Sequence, residues 1–265
     1  AYGGAAPVFG ADYIIPKPFD PRLILQIAPA VARAAMASGI ARRPIADFAA
    51  SNTGRIVYAE GEDERTLRAV QTLVDDGIAQ PILIGRRDVI AARVAEMGLR
   101  LDLNESVRIL DPARDEAVFG PLLGEYQRLV GRSGAPPDAA ARRLRTRPTV
   151  AAAMLLQAGL ADAAICGGTG DWWRHMQYIV PIIPRRPEVS RFYALSCLIL
   201  PAGALFIADT YVVTDPTAEQ IAEMTLLAAD AMRSFGIAPK AALLSHSSYG
   251  GSNAPSARRM REALG

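Results

Sequence analysis

The sequence has 265 residues, of which 51% are hydrophobic and 21% charged, and its net charge at pH 7 is +2. This composition excludes an intrinsically disordered chain, which would combine low hydrophobicity with a high net charge. The near balance of charge also argues against a surface dedicated to nucleic acid, so we expect no nucleic-acid partner. Because single cores stop growing near roughly 250 residues, we expect two compact units.

The apolar residues and the cysteines narrow the class of protein further. No uninterrupted apolar run is long enough to span a bilayer, and the first residues lack the charged and then apolar order of a signal peptide. We therefore expect a cytoplasmic protein without a membrane partner. Cys166 and Cys197 stand in apolar segments, without a CxxC pair and with only two histidines in the chain. This pattern indicates buried, reduced thiols and supports neither a disulfide framework nor a metal site.

The first fifty residues differ in character from the rest of the chain. Glycine and proline are dense at first, and a helical pattern then begins at Asp20 and ends at Gly39. Lys17 and Asp20 resemble a catalytic pair, but a proline-bounded turn with Asp20 as the helix N-cap explains both residues. We therefore expect a separate tail at residues 1–50.

From residue 55 onward, short apolar runs alternate with helical patterns. This alternation predicts an α/β fold with parallel strands joined by crossover helices. Pro148 interrupts one helical pattern and is the expected hinge between two units. Strands are expected at residues 55–58, 81–84, 107–110 and 160–166, and helices at residues 62–77, 89–97, 116–130, 138–147, 150–159 and 171–179.

The last third of the chain begins with two apolar runs that Pro201, Ala202 and Gly203 separate. These runs predict an antiparallel pair of strands beside the parallel set. A long helix follows from Thr217 to Gly236, and its Glu223 is expected to face away from any ligand. A further strand is predicted at residues 241–244, and Pro255 then opens a last, arginine-rich helix.

The loop before that last helix is rich in small polar residues, and we call residues 245–253 the serine loop. Its hydroxyl and backbone N–H groups could surround an anion at the N-terminus of the helix, where the helix dipole favours negative charge. The alternative is an ordinary loop between a strand and a helix, because serine, glycine and asparagine are common turn residues. The candidate residues are Ser245, Ser247, Ser248, Gly250, Gly251 and Ser252.

A second junction of strand, glycine loop and helix occurs at residues 166–170, which we call the glycine loop. Ligands of open α/β sheets bind beyond the carboxyl ends of such strands. Cys166 is a weak candidate nucleophile, since its apolar surroundings should raise its pKa. Glu60 and Glu62 are a weak candidate acid–base pair, because acidic residues at a helix start already suit its dipole. Trp172 and Trp173 could stack on an adenine or belong to a core or an interface.

Two resemblances cover nearly the whole chain, and the first concerns its beginning. The segment FGADYIIPKPFDPRLILQIAPAVARAAMASGIARRPI is similar to the end of the catalytic half of bacterial NADP-dependent malic enzymes. In that family the catalytic lysine and tyrosine, the metal-binding acids and the nucleotide loop precede this motif. The resemblance thus implies no catalytic residue in this chain and assigns NADP and a divalent metal, Mg or Mn, to a missing N-terminal malic enzyme domain.

The second resemblance is carried by YAEGEDERTLRAV, PILIG, GLADAAICGG, LFIADTYVVTDPTAEQIAEM and FGIAPKAALLSHSSYGGSNAPSARRMREA. These motifs look like the phosphate acetyltransferase family, and most closely like the half that is fused to malic enzymes. The resemblance implies a two-lobed α/β/α fold, incomplete here, with a first lobe at residues 54–147 and a second at residues 148–265.

The same resemblance implies a cleft between the lobes that holds acetyl-CoA or acetyl phosphate. The positions that match the cleft are Thr169 and Arg174, the serine loop, and Arg128 and Arg132 on the facing lobe. Arginine suits such a place because its planar guanidinium grips phosphate with two hydrogen bonds and keeps its charge. The alternative for all three arginines is a solvated position on a helix.

Three functions are compatible with these observations. The first is a regulatory module that binds acetyl-CoA, because the segment that supplies a later Ser-Arg pair and an acid in active transferases does not occur before Gly265. The second is an active phosphate acetyltransferase. The third is an oligomerisation module, since the apolar residues of 192–207 and of 217–235 offer surface for a homo-oligomer.

Overall fold

The structure is a computed structural model, and it describes residues 54–132, 134–200, 203–247 and 251–265. The predicted tail with its helix, Lys17 and Asp20 lies outside the described residues. Pro201 and Ala202 of the predicted turn lie outside them too, as do Ser248 and Gly250 of the serine loop.

The described residues form an α/β fold of alternating elements, as the sequence predicts. The strands are β1 (Arg55–Tyr58), β2 (Gln80–Ile84), β3 (Arg108–Leu110), β4 (Ala163–Ile165), β5 (Leu195–Leu200) and β6 (Gly203–Ala208). The helices are α1 (Glu64–Asp75), α2 (Arg87–Glu96), α3 (Glu116–Gly131), α4 (Pro137–Thr146), α5 (Pro148–Gln157), α6 (Trp172–Ile179), α7 (Ala218–Ser234) and α8 (Pro255–Glu262).

Four strands form one parallel sheet in the order β3-β2-β1-β4. Strand β1 pairs with β2 on one side and with β4 on the other, in register from Ile56 opposite Ala163 to Tyr58 opposite Ile165. The residues of β2 after its first are all buried, as expected for a strand whose two faces are both covered. The predicted parallel sheet with crossover helices is therefore confirmed.

The two faces of the sheet each carry a hydrophobic core, because neighbouring side chains of a strand point to opposite faces. Val57 belongs to one core, with residues of α3, α4 and α5. Tyr58 belongs to the other, with residues of α1 and α2. Layers of helices on both faces give the three-layer α/β/α arrangement that the family resemblance implies.

Helix α5 is the most completely buried helix of the described residues. After Pro148, its residues from Thr149 to Leu155 are all buried, and the helix packs against β1, β2 and β4. The helix begins at Pro148, which suits the first helical position because its missing N–H is not needed there. Strands β1, β2 and β3 precede residue 148 and β4 follows it, yet all four belong to one sheet. The expected lobe boundary at residues 147 and 148 therefore does not separate two sheets.

The C-terminal part contains the predicted antiparallel pair, with Leu195 opposite Ala208 and Leu200 opposite Gly203. Helix α7 begins with a capping box, in which Thr217 and Gln220 bond each other's backbone N–H groups. The strand predicted at residues 241–244 was wrong. These residues form neither a helix nor a strand and have no partner strand in the described part of the chain, and Leu244 is 78% exposed. An apolar run alone does not make a strand without a neighbour to bond.

Candidate functional site

The loops that follow the four parallel strands meet at one edge of the sheet. The Ala59 N–H donates to the Ile165 carbonyl at 2.9 Å, and the Gly61 N–H donates to the Ile84 carbonyl at 3.1 Å. The Gly85 N–H donates to the Leu110 carbonyl at 3.0 Å. These bonds bring the ends of all four strands together, which is where ligands of open α/β sheets bind.

The glycine loop is held by two side chains of the loop and helix that follow β1. The carboxylate of Glu60 accepts the Gly167 N–H at 3.0 Å, and the guanidinium of Arg65 donates to the Gly168 carbonyl at 2.6 Å. Gly167 and Gly170 have φ values of +95° and +90°, which only glycine adopts without strain. The loop therefore has a defined course set by residues more than a hundred positions earlier.

The weak acid–base hypothesis for Glu60 and Glu62 finds no support in these contacts. Glu62 accepts hydrogen bonds from the Arg86 backbone N–H at 2.8 Å and from its guanidinium at 3.0 and 2.9 Å. The hydrogen bonds from Arg86 hold the pKa of Glu62 below its ordinary value. Glu62 thus stays ionised near neutral pH, and Glu60 supports the glycine loop.

Cys166 begins the glycine loop and is partly buried against the core. Burial, and to a smaller extent the charge of Glu60, raises the pKa of its thiol to about 11. A thiol that stays protonated is a poor nucleophile, as the apolar surroundings in the sequence predict. The prediction that both thiols are buried was wrong for Cys197, which is exposed on β5.

Thr169 bonds through its backbone to His175, one turn into α6. The Nε2 atom of His175 lies 2.8 Å from the Thr169 carbonyl oxygen, and its Nδ1 atom lies 2.8 Å from Oγ1 of Thr149. The side chain of Thr169 itself is exposed. One of the two histidines of the chain thus links the glycine loop to the buried helix α5.

Arg174 is exposed on the first turn of α6, and its guanidinium makes no hydrogen bond or ion pair within the described residues. The carboxylate of Asp171 caps this helix by accepting the Trp173 N–H at 3.3 Å. Negative charge therefore already occupies the N-terminus of α6. An anion near this helix would be bound by Arg174 instead of by the helix dipole.

The serine loop precedes a helix that has no side-chain cap. The hydroxyls of Ser245 and Ser247 lie 3.0 Å apart, and Ser252 Oγ accepts the Ala254 N–H at 3.1 Å. Helix α8 starts with Pro255 at its first position and makes no side-chain cap bond. Gly251 is exposed. In the first turn of α8, Pro255 has no N–H, Arg258 donates its N–H to the Ala254 carbonyl at 3.0 Å, and Ala257 is buried. The N–H of the exposed Ser256 makes no backbone hydrogen bond within the described residues and remains available to a ligand.

Arg128 and Arg132 lie at the C-terminal end of α3, and the structure does not bring them to the glycine loop. A crossover helix runs opposite to its strands, so this end lies at the other edge of the sheet. Arg128 also donates to the Glu125 carboxylate at 3.0 and 2.5 Å. Within the described residues, no hydrogen bond or ion pair joins the glycine loop to the serine loop either.

The sequence analysis assigned no role to Arg65, His175 and Thr149, and it considered Glu60 for acid–base chemistry instead of for support of the glycine loop. A signal existed for Thr149, which is the lone hydroxyl residue in the apolar helix PTVAAAMLLQ. A polar group in a buried helix needs a partner, and here the partner is a rare histidine. No comparable signal existed for Arg65, because arginines are numerous and most of them lie on the surface.

The parallel sheet, its two helix layers and the loops at the carboxyl edge define an open α/β protein, and its candidate ligand site lies beyond the strand ends. The chain belongs to the family described as "Phosphate acetyl/butaryl transferase", which residues 40–265 match. Two solved structures share this fold. EutD phosphotransacetylase from Staphylococcus aureus has a TM-score of 0.72, 25% identity and coverage of 83% of this chain and 65% of its own. A phosphotransacetylase from Streptococcus pyogenes has a TM-score of 0.71, 26% identity and coverage of 87% and 67%.

The chain is also similar to longer proteins. It is 46% identical to the NAD-dependent malic enzyme of Rhizobium meliloti and 44% identical to the NADP-dependent malic enzyme of Escherichia coli, over its full length in both cases. It spans only 37% and 38% of those relatives. It is 31% identical to a phosphate acetyltransferase of Nitratidesulfovibrio vulgaris over 74% of its length and 27% of that relative. The chain thus fits the C-terminal, phosphate acetyltransferase-like part of a malic enzyme. Within its described residues, no helix is long and apolar enough to cross a membrane.

Proposed function

We propose that this chain is a regulatory module that binds acetyl-CoA within a larger malic enzyme. In this proposal the parent enzyme converts malate to pyruvate by oxidative decarboxylation, with NADP and Mg or Mn held by residues outside this chain. The module contributes no catalytic residue to that reaction. Acetyl-CoA bound to the module then changes the activity of the parent.

The observation that carries the proposal is the uncapped N-terminus of α8 beside the serine loop. The exposed Ser256 N–H at this helix start attracts phosphate, and the hydroxyls of Ser245, Ser247 and Ser252 add further donors. Acetyl-CoA carries several phosphate groups, so it suits such a surface. The contrast with α6, whose N-terminus Asp171 already caps, favours α8 as the phosphate end of the site.

Arg174 supplies a second point of contact in this proposal. Its guanidinium is exposed and makes no bond within the described residues, so a ligand need not displace a partner. A charge-assisted hydrogen bond from arginine to phosphate contributes about 1.5–3 kcal/mol to binding. The hydroxyl of Thr169 and the backbone of the glycine loop would complete this side of the site.

Regulation adds one physical requirement to binding. A ligand changes the balance between two states only if it binds one of them more tightly. Acetyl-CoA must therefore favour either the more active or the less active state of the full-length enzyme. If acetyl-CoA had equal affinity for both states, it would bind without changing the activity.

Calorimetric titration of the full-length protein with acetyl-CoA tests the binding step. We expect saturable binding to the wild type and a ten- to hundred-fold weaker Kd for Arg174→Gln, as losing a charge-assisted bond implies. The matched control is Arg108→Gln, since Arg108 is exposed and is the first residue of β3, at the amino edge of the sheet. An unchanged Kd for Arg174→Gln would remove Arg174 from the site, and absent binding heat for the wild type would end the proposal.

The alternative is an active phosphate acetyltransferase, which the name of the matching family favours. In that case the arginines would hold phosphate beside the thioester and raise its effective concentration. Such an enzyme releases free CoA from acetyl-CoA only when phosphate is present. If the release of free CoA stays at background in the presence of phosphate, the transferase function is excluded and the regulatory function remains.

A homo-oligomer is compatible with both functions and is proposed alongside them. Ile199 on β5 is 81% exposed and Leu226 on α7 is 66% exposed. A second copy could cover such apolar side chains. Light scattering on the full-length protein and on its Ile199→Lys variant tests this surface, and an unchanged mass would exclude it as the contact.

A further inference from the structure

Apart from two tyrosines, Thr149 is the one residue with a polar side chain that is buried among the described residues, at 4% relative exposure. A buried hydroxyl without a partner is costly, and the partner of Thr149 is Nδ1 of His175 at 2.8 Å. The other imidazole nitrogen lies 2.8 Å from the Thr169 carbonyl oxygen. Thr149 lies on α5, His175 on α6 and Thr169 in the glycine loop, so these bonds connect three separate parts of the chain.

The chemistry of the partners fixes the direction of both hydrogen bonds. A carbonyl oxygen only accepts, so Nε2 of His175 must carry a hydrogen and donate it to Thr169. In the neutral imidazole Nδ1 then accepts, and the hydroxyl of Thr149 donates to it. The order of donation is therefore Thr149 hydroxyl, imidazole, Thr169 carbonyl.

Two carbonyls of the glycine loop are thus held in place, that of Gly168 by Arg65 and that of Thr169 by His175. In a trans peptide the C=O and the N–H point in opposite directions. Holding these carbonyls turns the N–H groups of Thr169 and Gly170 away from Arg65 and His175. Neither N–H donates a hydrogen bond within the described residues, so both are free to bind an anionic ligand.

We propose that His175 is a positioning residue that fixes the Thr169–Gly170 peptide, and that Thr149 selects the imidazole tautomer that does so. The inference rests on the proposed function for the identity of the ligand, acetyl-CoA. His175 does not touch the ligand. It acts by keeping the Gly170 N–H turned toward the place that the ligand occupies, next to the Thr169 N–H that Arg65 orients through the Gly168 carbonyl.

Side-chain substitutions separate this role from general support of the fold. In the full-length protein, His175→Ala should weaken the Kd for acetyl-CoA about tenfold, as expected for the loss of one ordering hydrogen bond. His175→Gln keeps an N–H donor at the position of Nε2 and should restore the Kd to within about threefold of the wild type. Thr149→Val should weaken binding while Thr149→Ser, which keeps the hydroxyl, should not. Melting temperatures of all four variants serve as the check on folding.

Nitrogen chemical shifts of the His175 imidazole test the inference without any ligand. We expect a hydrogen on Nε2 in the wild type and in Thr149→Ser, and a loss of this preference in Thr149→Val. A hydrogen on Nδ1 in the wild type would overturn the inference even if acetyl-CoA binds. Equal Kd values for wild type and His175→Ala would overturn it too. If the wild type does not bind acetyl-CoA, the proposed function fails, and the imidazole shifts alone decide the inference.

Discussion

At the scale of single residues, the ion pair between Arg55 and Asp162 joins β1 to β4, the first and the last strand of the parallel sheet along the sequence. The Asp162 carboxylate accepts from the Arg55 backbone N–H at 2.8 Å and from its guanidinium at 3.0 and 2.8 Å. These hydrogen bonds lower the pKa of Asp162 to about 2. Because β1 and β4 come from sequence positions a hundred residues apart, this ion pair closes a long loop at the amino ends of both strands.

Asp162→Asn should lower the melting temperature at pH 7 by about 2 °C, since it removes the charge that Arg55 bonds. A carboxyl group with a lowered pKa stabilises the fold above its ordinary pKa of about 4, and this contribution is lost as the pH falls through the folded value near 2. The difference in melting temperature between wild type and variant should thus be constant from pH 7 to 5 and shrink below pH 4.

Calorimetric melting curves across this range measure the difference. Asp75→Asn is the matched control, because the Asp75 carboxylate is exposed and accepts from the side chains of Gln71 at 3.4 Å and Arg100 at 3.1 Å, both exposed contacts. A gap between wild type and Asp162→Asn that persists unchanged at pH 3 would contradict the assignment.

At the scale of elements, the loop between β1 and α1 must pass unusually close to β2. A Cβ atom added at Gly61 would lie 2.7 Å from the Ile84 carbonyl oxygen, and backbone atoms cannot yield cheaply. This close approach also carries the Gly61 N–H to the same carbonyl. Glu60 and Glu62 flank it, so the course of this loop sets their contacts with Gly167 and Arg86.

Gly61→Ala should therefore lower the free energy of unfolding by about 1–3 kcal/mol. Gly124→Ala is the control within α3, where an added Cβ meets nothing within 4 Å. This second change should be neutral or stabilise the helix by about 0.5–1 kcal/mol. Urea unfolding of the two variants measures both effects, and a Gly61→Ala protein as stable as the wild type would contradict the described loop.

Helix α7 is tied to the preceding segment by Glu223. The expectation that Glu223 faces away from any ligand concerns binding and stays a prediction. In the fold, its carboxylate accepts from the Ser190 N–H at 2.8 Å and from the hydroxyls of Ser190 and Tyr193. The hydrogen bonds from Ser190 and Tyr193 lower the pKa of Glu223. A helical face that lacks apolar residues can still make contacts that only the folded chain reveals.

Glu223→Gln should lower the melting temperature by about 2 °C, because an amide accepts these hydrogen bonds less strongly than a carboxylate. Asp230→Asn is the matched control on the same helix, since Asp230 is exposed and pairs only with Arg233 within its own helix. Differential scanning fluorimetry measures both variants, and equal melting temperatures would show that the hydrogen bonds of Glu223 do not stabilise the fold.

The sequence predicts an element well where neighbouring residues determine it, and poorly where residues distant in sequence do. The strands and helices around β1 and β2 follow from local apolar patterns and from Gly77, Pro137 and Pro148 at element ends. The pairing of β4 with β1 and the bonds from Arg65 and His175 to the glycine loop join distant positions, which no local pattern encodes. The segment at residues 241–244 shows the opposite error, since its apolar pattern lacks a neighbouring strand.

At the scale of the whole molecule, the two parts of the chain differ in how completely they are buried. The parallel sheet has a core on each face, whereas the strands β5 and β6 are largely exposed. Two antiparallel strands are marginally stable alone, and within the described residues they are supported by the packing of α7 on β6.

The central claim is that acetyl-CoA binds this module and changes the activity of the full-length enzyme. The most direct measurement is the initial rate of malate oxidation against acetyl-CoA concentration, for wild type and Gly251→Val, with Asp230→Asn as control. We predict a saturable change in rate, and a half-effect concentration that Gly251→Val raises about ten- to a hundred-fold, because valine blocks close approach of the ligand to the backbone. A wild-type rate that stays flat at all acetyl-CoA concentrations would contradict the account.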